Sequence, residues 1–149
     1  MRISMSLRLS VLTIACIFLA AGAALASDRV EGFHYLSPEE VKGRIEANDA
    51  MTIVDIQVED EFARHHLKGA VPTFAYPVKS ETDIAKLNPV IGDLLENGDP
   101  VLIVCPRGGG GARRTYQHLA ERGVDGGRLF ILEKGQSGWP YPELLEANR

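Results

Sequence analysis

A run of four aliphatic residues, Val101-Leu102-Ile103-Val104, stops at Cys105 and gives way to Pro106-Arg107-Gly108-Gly109-Gly110-Gly111, after which Ala112-Arg113-Arg114 opens helical sequence. This order constrains the fold more than any other feature of the chain. A short apolar run preceded by the breaker Asn97-Gly98-Asp99-Pro100 reads as a strand. A cysteine at the carboxyl end of a buried strand faces a ring of backbone N–H groups if the next turn curls around it. Four glycines leave that curl unobstructed and can take positive φ where inward-pointing amides require it. The helix expected from about residue 112 adds the positive end of its macrodipole, and Arg107, Arg113 and Arg114 add full charges. Each of these favours thiolate over thiol, so Cys105 is expected to be a nucleophile in an anion-binding loop. The plainer reading makes Cys105 a small buried hydrophobe beside a flexible linker. The adjacency of strand, cysteine, glycine loop and basic helix start weighs against it.

The rest of the chain alternates strands and helices. Ser37-Pro38-Glu39-Glu40 predicts a helix to about residue 47, with Ser37 as N-cap, Pro38 at the first helical position and Glu40 closing a capping box. Residues 51–56 are nearly continuously apolar, as in a strand buried on both faces of a parallel sheet. A short helix is expected over 59–65, a brief strand over 69–72, helical sequence over 82–87, and a helix to about residue 96 that starts at Asn88-Pro89, with Asn88 as the capping residue. After the Cys105 loop come a helix over 112–122 with Gly123 as its C-cap, a strand over 129–132 and a final helical turn over 142–147. The alternation predicts a single α/β domain with a mostly parallel central sheet flanked by helices.

The first 26 residues carry a different signal. Arg2 and Arg8 precede a largely apolar stretch over 9–26 that closes on Ala24-Leu25-Ala26 before Ser27, the pattern of a secretory signal peptide. An uncleaved anchor is one alternative, and the alanine-rich end and cleavage pattern argue against it; a lipoprotein signal at Cys16 is another, and Thr13 and the apolar run past the cysteine argue against that. Cleavage leaves residues 27–149 as the domain, with 14 basic against 20 acidic residues, a net charge of −6, and Cys105 as the sole cysteine. That balance excludes nucleic acid as a natural partner and places the positive charge beside Cys105, where a small anion is the expected substrate. The expected location is periplasmic or extracellular, with no stable membrane association after cleavage. In an oxidising compartment a lone cysteine forms no internal bridge and stays available for chemistry.

Three ordered motifs resemble those of rhodanese-like domains. Asp55-Ile56-Gln57, Glu61-Phe62 and His66-Leu67-Lys68-Gly69-Ala70-Val71 are similar to a first signature in which Asp-aliphatic-Arg is followed by Glu-aromatic and His-Ile-x-Gly-Ala. Leu132-Glu133-Lys134-Gly135-Gln136-Ser137-Gly138-Trp139 resembles the closing Leu-x-Gly-Gly-aromatic-x-x-Trp, and the Cys105 loop stands between them where the family keeps its catalytic cysteine. The resemblance spans residues 36–139. It implies a sulfurtransferase needing no metal or organic cofactor: Cys105 takes sulfane sulfur from thiosulfate or a persulfide and passes it to a thiol or cyanide. Arg107, Gly108, Gly109, Gly110, Gly111 and Arg113 are the substrate-binding candidates, as amides and cations that stabilise developing negative charge.

The neighbouring positions read as structural. Asp55 orders the turn after its strand, His66 fixes the loop before Gly69, and Trp139 plugs the core. Adjacent His65 and His66 diverge on a helix or a strand and have no supporting cluster, so no metal site is expected. Gln57 replaces the signature arginine, and Lys134 and Gln136 replace a glycine and an aromatic. The Cys105 loop is also about one residue longer than in common sulfur-transferring members. Rhodanese-fold phosphatases and arsenate reductases share that length, but their arginine six residues after the cysteine is Gly111 here. An oxyanion-processing enzyme and a non-catalytic binding domain therefore stand as alternatives to sulfur transfer.

Overall fold

The computed structural model describes residues 29–148. The expected signal segment, residues 1–26, lies outside them. Five strands form a parallel sheet: β1 (Tyr35–Leu36), β2 (Thr52–Asp55), β4 (Val71–Pro72), β5 (Val101–Val104) and β6 (Leu129–Leu132), in the order β1-β6-β5-β2-β4. The central strands β5 and β2 run in register from Thr52 beside Val101 to Asp55 beside Val104. The carboxyl ends of these two strands, and the turns that follow them, therefore lie side by side. In open α/β sheets such ends are where ligands bind.

Side chains alternate across the sheet with the period of a strand. Val54, Val101, Ile103, Leu129 and Ile131 face one core, shared with α4 (Asn88–Asn97) through Val90, Ile91 and Leu94 and with α5 (Gly110–Glu121) through Ala112, Tyr116 and Leu119. Ile53, Leu102, Val104 and Leu132 face the other, with Val41 of α1 (Pro38–Ala47), Leu67 and Trp139. This two-sided burial explains why the strands read as unbroken apolar runs. Helix α1 carries the expected capping box: Ser37 Oγ accepts from Glu40 N, and Glu40 Oε2 accepts from Ser37 N.

Three local expectations are corrected. The helix expected over 142–147 is one 3-10 turn, Pro142–Leu144, followed by β7 (Leu145–Glu146), which pairs antiparallel with β3 (His66–Leu67). That long-range pairing overrides a weak local helix signal, and Lys68 N donates to Leu144 O at 2.9 Å beside it. Asn88 does not cap α4. It is the first helical residue, Leu87 takes the cap position without a side-chain bond, and the Asn88 carboxamide oxygen accepts from Arg122. Helix α5 begins two residues earlier than expected, at Gly110, and ends at Glu121 with Arg122 as its C-cap in place of Gly123, which follows at φ 99°.

Candidate active site

Cys105 sits where β5 ends and is 1 % exposed. Its Sγ accepts a hydrogen bond from the Gly108 amide at 3.1 Å. That amide points inward because Gly108 adopts φ 67°, a conformation open to glycine at little cost. A cavity of about 200 Å3 opens over the sulfur, lined by Cys105, Arg107, Gly109, Gly110, Gly111 and Tyr76. Gly109 is the N-cap of α5, so the free amides of the first helical turn and the positive end of the helix meet this space.

The expected site residues divide. Cys105, Arg107, Gly109, Gly110 and Gly111 share the cavity, and Gly108 serves it from beneath by bonding the sulfur. Arg113 is half-buried in the first turn of α5 and is not among the residues lining the cavity. Arg114 is committed elsewhere: its guanidinium donates to Pro77 O and Val78 O at 2.7 and 2.9 Å. Arg107 is thus the cation at the cavity, exposed at its rim.

Two contributors are invisible in the local sequence. Tyr76, which precedes a cis peptide bond to Pro77, places its ring against Gly111. A Cβ at Gly111 would stand 3.0 Å from that ring and 3.3 Å from Ile56, so the site has no room for a side chain at this position without rearrangement. Gly135 supports the loop from below. With φ 58° and ψ −159° it brings the chain so close that a Cβ would fall within 3.0 Å of Cys105 O, Arg107 N and Gly108 N. The contact is held by Gln136 N donating to Cys105 O at 2.8 Å and Ser137 N donating to Pro106 O at 3.0 Å.

The turn after β2 stands beside this loop. Asp55 is wholly buried, and its carboxylate accepts from Gln57 N at 2.8 Å and Gln57 Nε2 at 3.0 Å. Burial pushes its carboxyl up to about 6, against the opposing pull of the two Gln57 bonds and His66. His66 Nδ1 meets Phe62 O at 2.8 Å while its ring stacks on Phe62 at 3.8 Å. Trp139 is buried in the second core, its Nε1 donating to Tyr141 O at 2.8 Å. Gln57 and Gln136, two of the departures from the resembling signatures, line one recess together, and Lys134 takes φ 58° where the signature has glycine.

A model of the rhodanese-like domain matches residues 37–140. The chain belongs to the rhodanese-like domain family. Solved structures alike in fold include a yeast protein tyrosine phosphatase of the rhodanese family, 17 % identical with a TM-score of 0.61, covering 81 % of this chain and 96 % of that one. An As-Sb reductase from Leishmania major is 14 % identical with a TM-score of 0.61, over 77 % of this chain and 86 % of that one. A protein of Staphylococcus saprophyticus is 22 % identical with a TM-score of 0.58, over 76 % and 99 %. No curated protein matches the chain. At these identities the likeness extends to the fold, a single rhodanese-like domain built on a parallel sheet.

Proposed function

We propose that this rhodanese-like protein is an exported sulfurtransferase in which Cys105 carries the sulfur. The Cys105 thiolate attacks the outer sulfur of a small anionic donor such as thiosulfate. A bond forms from Sγ to that sulfur, the donor's S–S bond breaks, and sulfite leaves with its electron pair. The persulfide left on Cys105 keeps the negative charge beside the amides of Gly109 to Gly111. A thiol acceptor then takes the terminal sulfur and returns the electron pair to Sγ. The observation that carries this reading is the Gly108 amide bonded to Sγ at a small, glycine-lined cavity with Arg107 at its rim. Export rests on the Arg2/Arg8 leader and the Ala24-Leu25-Ala26 site, and N-terminal sequencing of the recovered protein is expected to begin at or near Ser27.

Oxyanion chemistry is the second reading, favoured by the loop length and by the named activities of the yeast and Leishmania proteins. Against it stands Gly111, packed on Tyr76 and Ile56, at the position where the longer-looped enzymes carry an arginine. Side-by-side turnover of thiosulfate with cyanide and of a phosphate monoester separates the two. Sulfur transfer with negligible phosphate release is the expected result, and the reverse overturns the proposal.

A further inference from the structure

The Cys105 loop has space on two sides. A recess of about 280 Å3 is lined by Gln57, Glu61, Arg64, His65, Pro106, Gln136 and Ser137. Cys105 and Arg107 line the cysteine cavity and Pro106 between them lines the recess, so one strip of backbone, with Cα atoms about 3.8 Å apart, walls both.

The polar groups of this recess are incompletely bonded. Gln57 is 2 % exposed, and its Nε2 is held by Asp55 Oδ2 and His65 O, while among the described residues nothing donates to its Oε1. Gln136 is 4 % exposed, and neither its Oε1 nor its Nε2 has a partner. A buried carboxamide left unbonded is rare in folded proteins. Both carboxamide atoms are enclosed, so it is a rotamer change of the Gln136 side chain that brings them to a guest in the recess. The wall then offers carboxamide groups with no charge of their own, Glu61 and Arg64 bring one charge of each sign, and His65 adds an imidazole. A guest that matches is neutral and carries a donor and an acceptor side by side, which describes a peptide amide. The recess is slightly below the range of sites for drug-sized ligands, enough for a short piece of peptide.

We propose that this recess binds the peptide amide flanking the thiol of the sulfur acceptor, so that Cys105 discharges to cysteine held in a peptide in preference to cyanide or a simple thiol. This rests on the sulfur-carrying reading of Cys105. In the discharge step the acceptor thiolate attacks the terminal sulfur of the Cys105 persulfide. A bond forms between the two sulfurs, the bond from Sγ breaks, and its electron pair returns to Sγ as thiolate while the acceptor departs as a persulfide. The acceptor is either a small free peptide or a cysteine in a protein chain, and both present the same amide.

The test compares discharge of the sulfur-loaded protein to cyanide, to 2-mercaptoethanol, to a capped Gly-Cys-Gly peptide and to a protein with an exposed cysteine. In Gln136→Leu, which exchanges an unbonded carboxamide for a side chain of similar size, kcat/KM toward the capped peptide is expected to fall roughly three- to tenfold, the worth of one neutral hydrogen bond. Loading and discharge to cyanide are expected to hold. An unchanged peptide rate, or an equal fall for peptide and cyanide, overturns the proposal. A second arm needs no sulfur chemistry: a capped Gly-Ser-Gly peptide titrated into the wild-type chain is expected to shift the NMR signals of Gln57, Arg64 and Gln136. No shift at millimolar peptide overturns the recess. Binding together with failure to take up sulfur upholds the recess and overturns the sulfur-carrying reading instead. Faster discharge to the protein thiol than to the tripeptide, or the reverse, upholds the proposal and tells which source supplies the amide.

Discussion

The turns after β5 and β2 leave neighbouring, in-register strand ends, and they treat negative charge in opposite ways. After β5, the Gly108 amide donates to the Cys105 sulfur, with a helix start and Arg107 close by. After β2, Asp55 is sealed from solvent with Gln57 as its side-chain and backbone partner, and burial raises its carboxyl to about 6. The lesson is that position at the carboxyl edge of a parallel sheet does not by itself stabilise an anion. Donors aimed at the anion do so, and a buried carboxylate with two neutral bonds has too few. One turn presents a backbone donor and a cation beside its sulfur, and the other holds a carboxyl whose charge is costly.

The largest expected effect comes from breaking the first turn. Gly135→Ala forces a Cβ into the backbone of Cys105, Arg107 and Gly108, in a conformation nearly confined to glycine. A loss of at least about 3 kcal/mol in urea unfolding, together with loss of activity, is expected. A variant that stays native-like shows that the Cys105 loop does not need this support.

The second turn is tested by pH. The folded chain holds the Asp55 proton more tightly than an unfolded one, whose aspartate titrates near 3.8. The group therefore contributes its full stability below about pH 4, and stability falls as pH rises through about 6, by roughly 3 kcal/mol at most. Asp55→Asn should flatten that part of the profile when urea midpoints are measured from pH 4 to pH 8. A slope that persists in the variant assigns it to another group.

The cation at the rim gives a smaller effect. Arg107→Ala should raise the KM for thiosulfate by about five- to tenfold, on the order of 1 kcal/mol for an exposed charge, with little change in unfolding. Arg113→Ala should do less, because Arg113 does not line the cavity. The opposite ranking moves the anion's binding place toward α5. The smallest effect concerns Lys134, a non-glycine residue at φ 58° just before Gly135. Lys134→Gly should stabilise the chain by about 1 kcal/mol, read as a higher urea midpoint. A loss instead shows that the lysine side chain has packing worth more than its backbone strain.

Much of the first turn was legible in the sequence because its parts are consecutive. A strand, a cysteine, four glycines and a helix start each have local signals, and they place the cysteine at a strand end beside a glycine loop without reference to distant residues. The parallel sheet was legible for a similar reason, since burial on both faces leaves unbroken apolar runs such as 101–104. What was not legible depends on contacts between segments far apart in the chain. Tyr76 reaches Gly111 from the connection after β4, and no local pattern aims it there. The pairing of β3 with β7 joins two-residue strands too short to register as runs. Arg107, Arg113 and Arg114 are indistinguishable in sequence, and only the helical geometry sends Arg114 to Pro77 and leaves Arg107 at the cavity. The unbonded state of Gln136 likewise follows from its surroundings and not from its identity.

The central claim is that the Cys105 loop exists to hold a sulfur anion, and intact-mass spectrometry addresses it directly. After incubation with thiosulfate the wild-type chain is expected to gain the mass of one sulfur atom, and to lose it again on treatment with a reducing thiol. Cys105→Ala should gain nothing while keeping its fold by circular dichroism. A wild-type chain that gains no sulfur from thiosulfate or from any persulfide donor, or a Cys105→Ala chain that still gains it, would contradict the account.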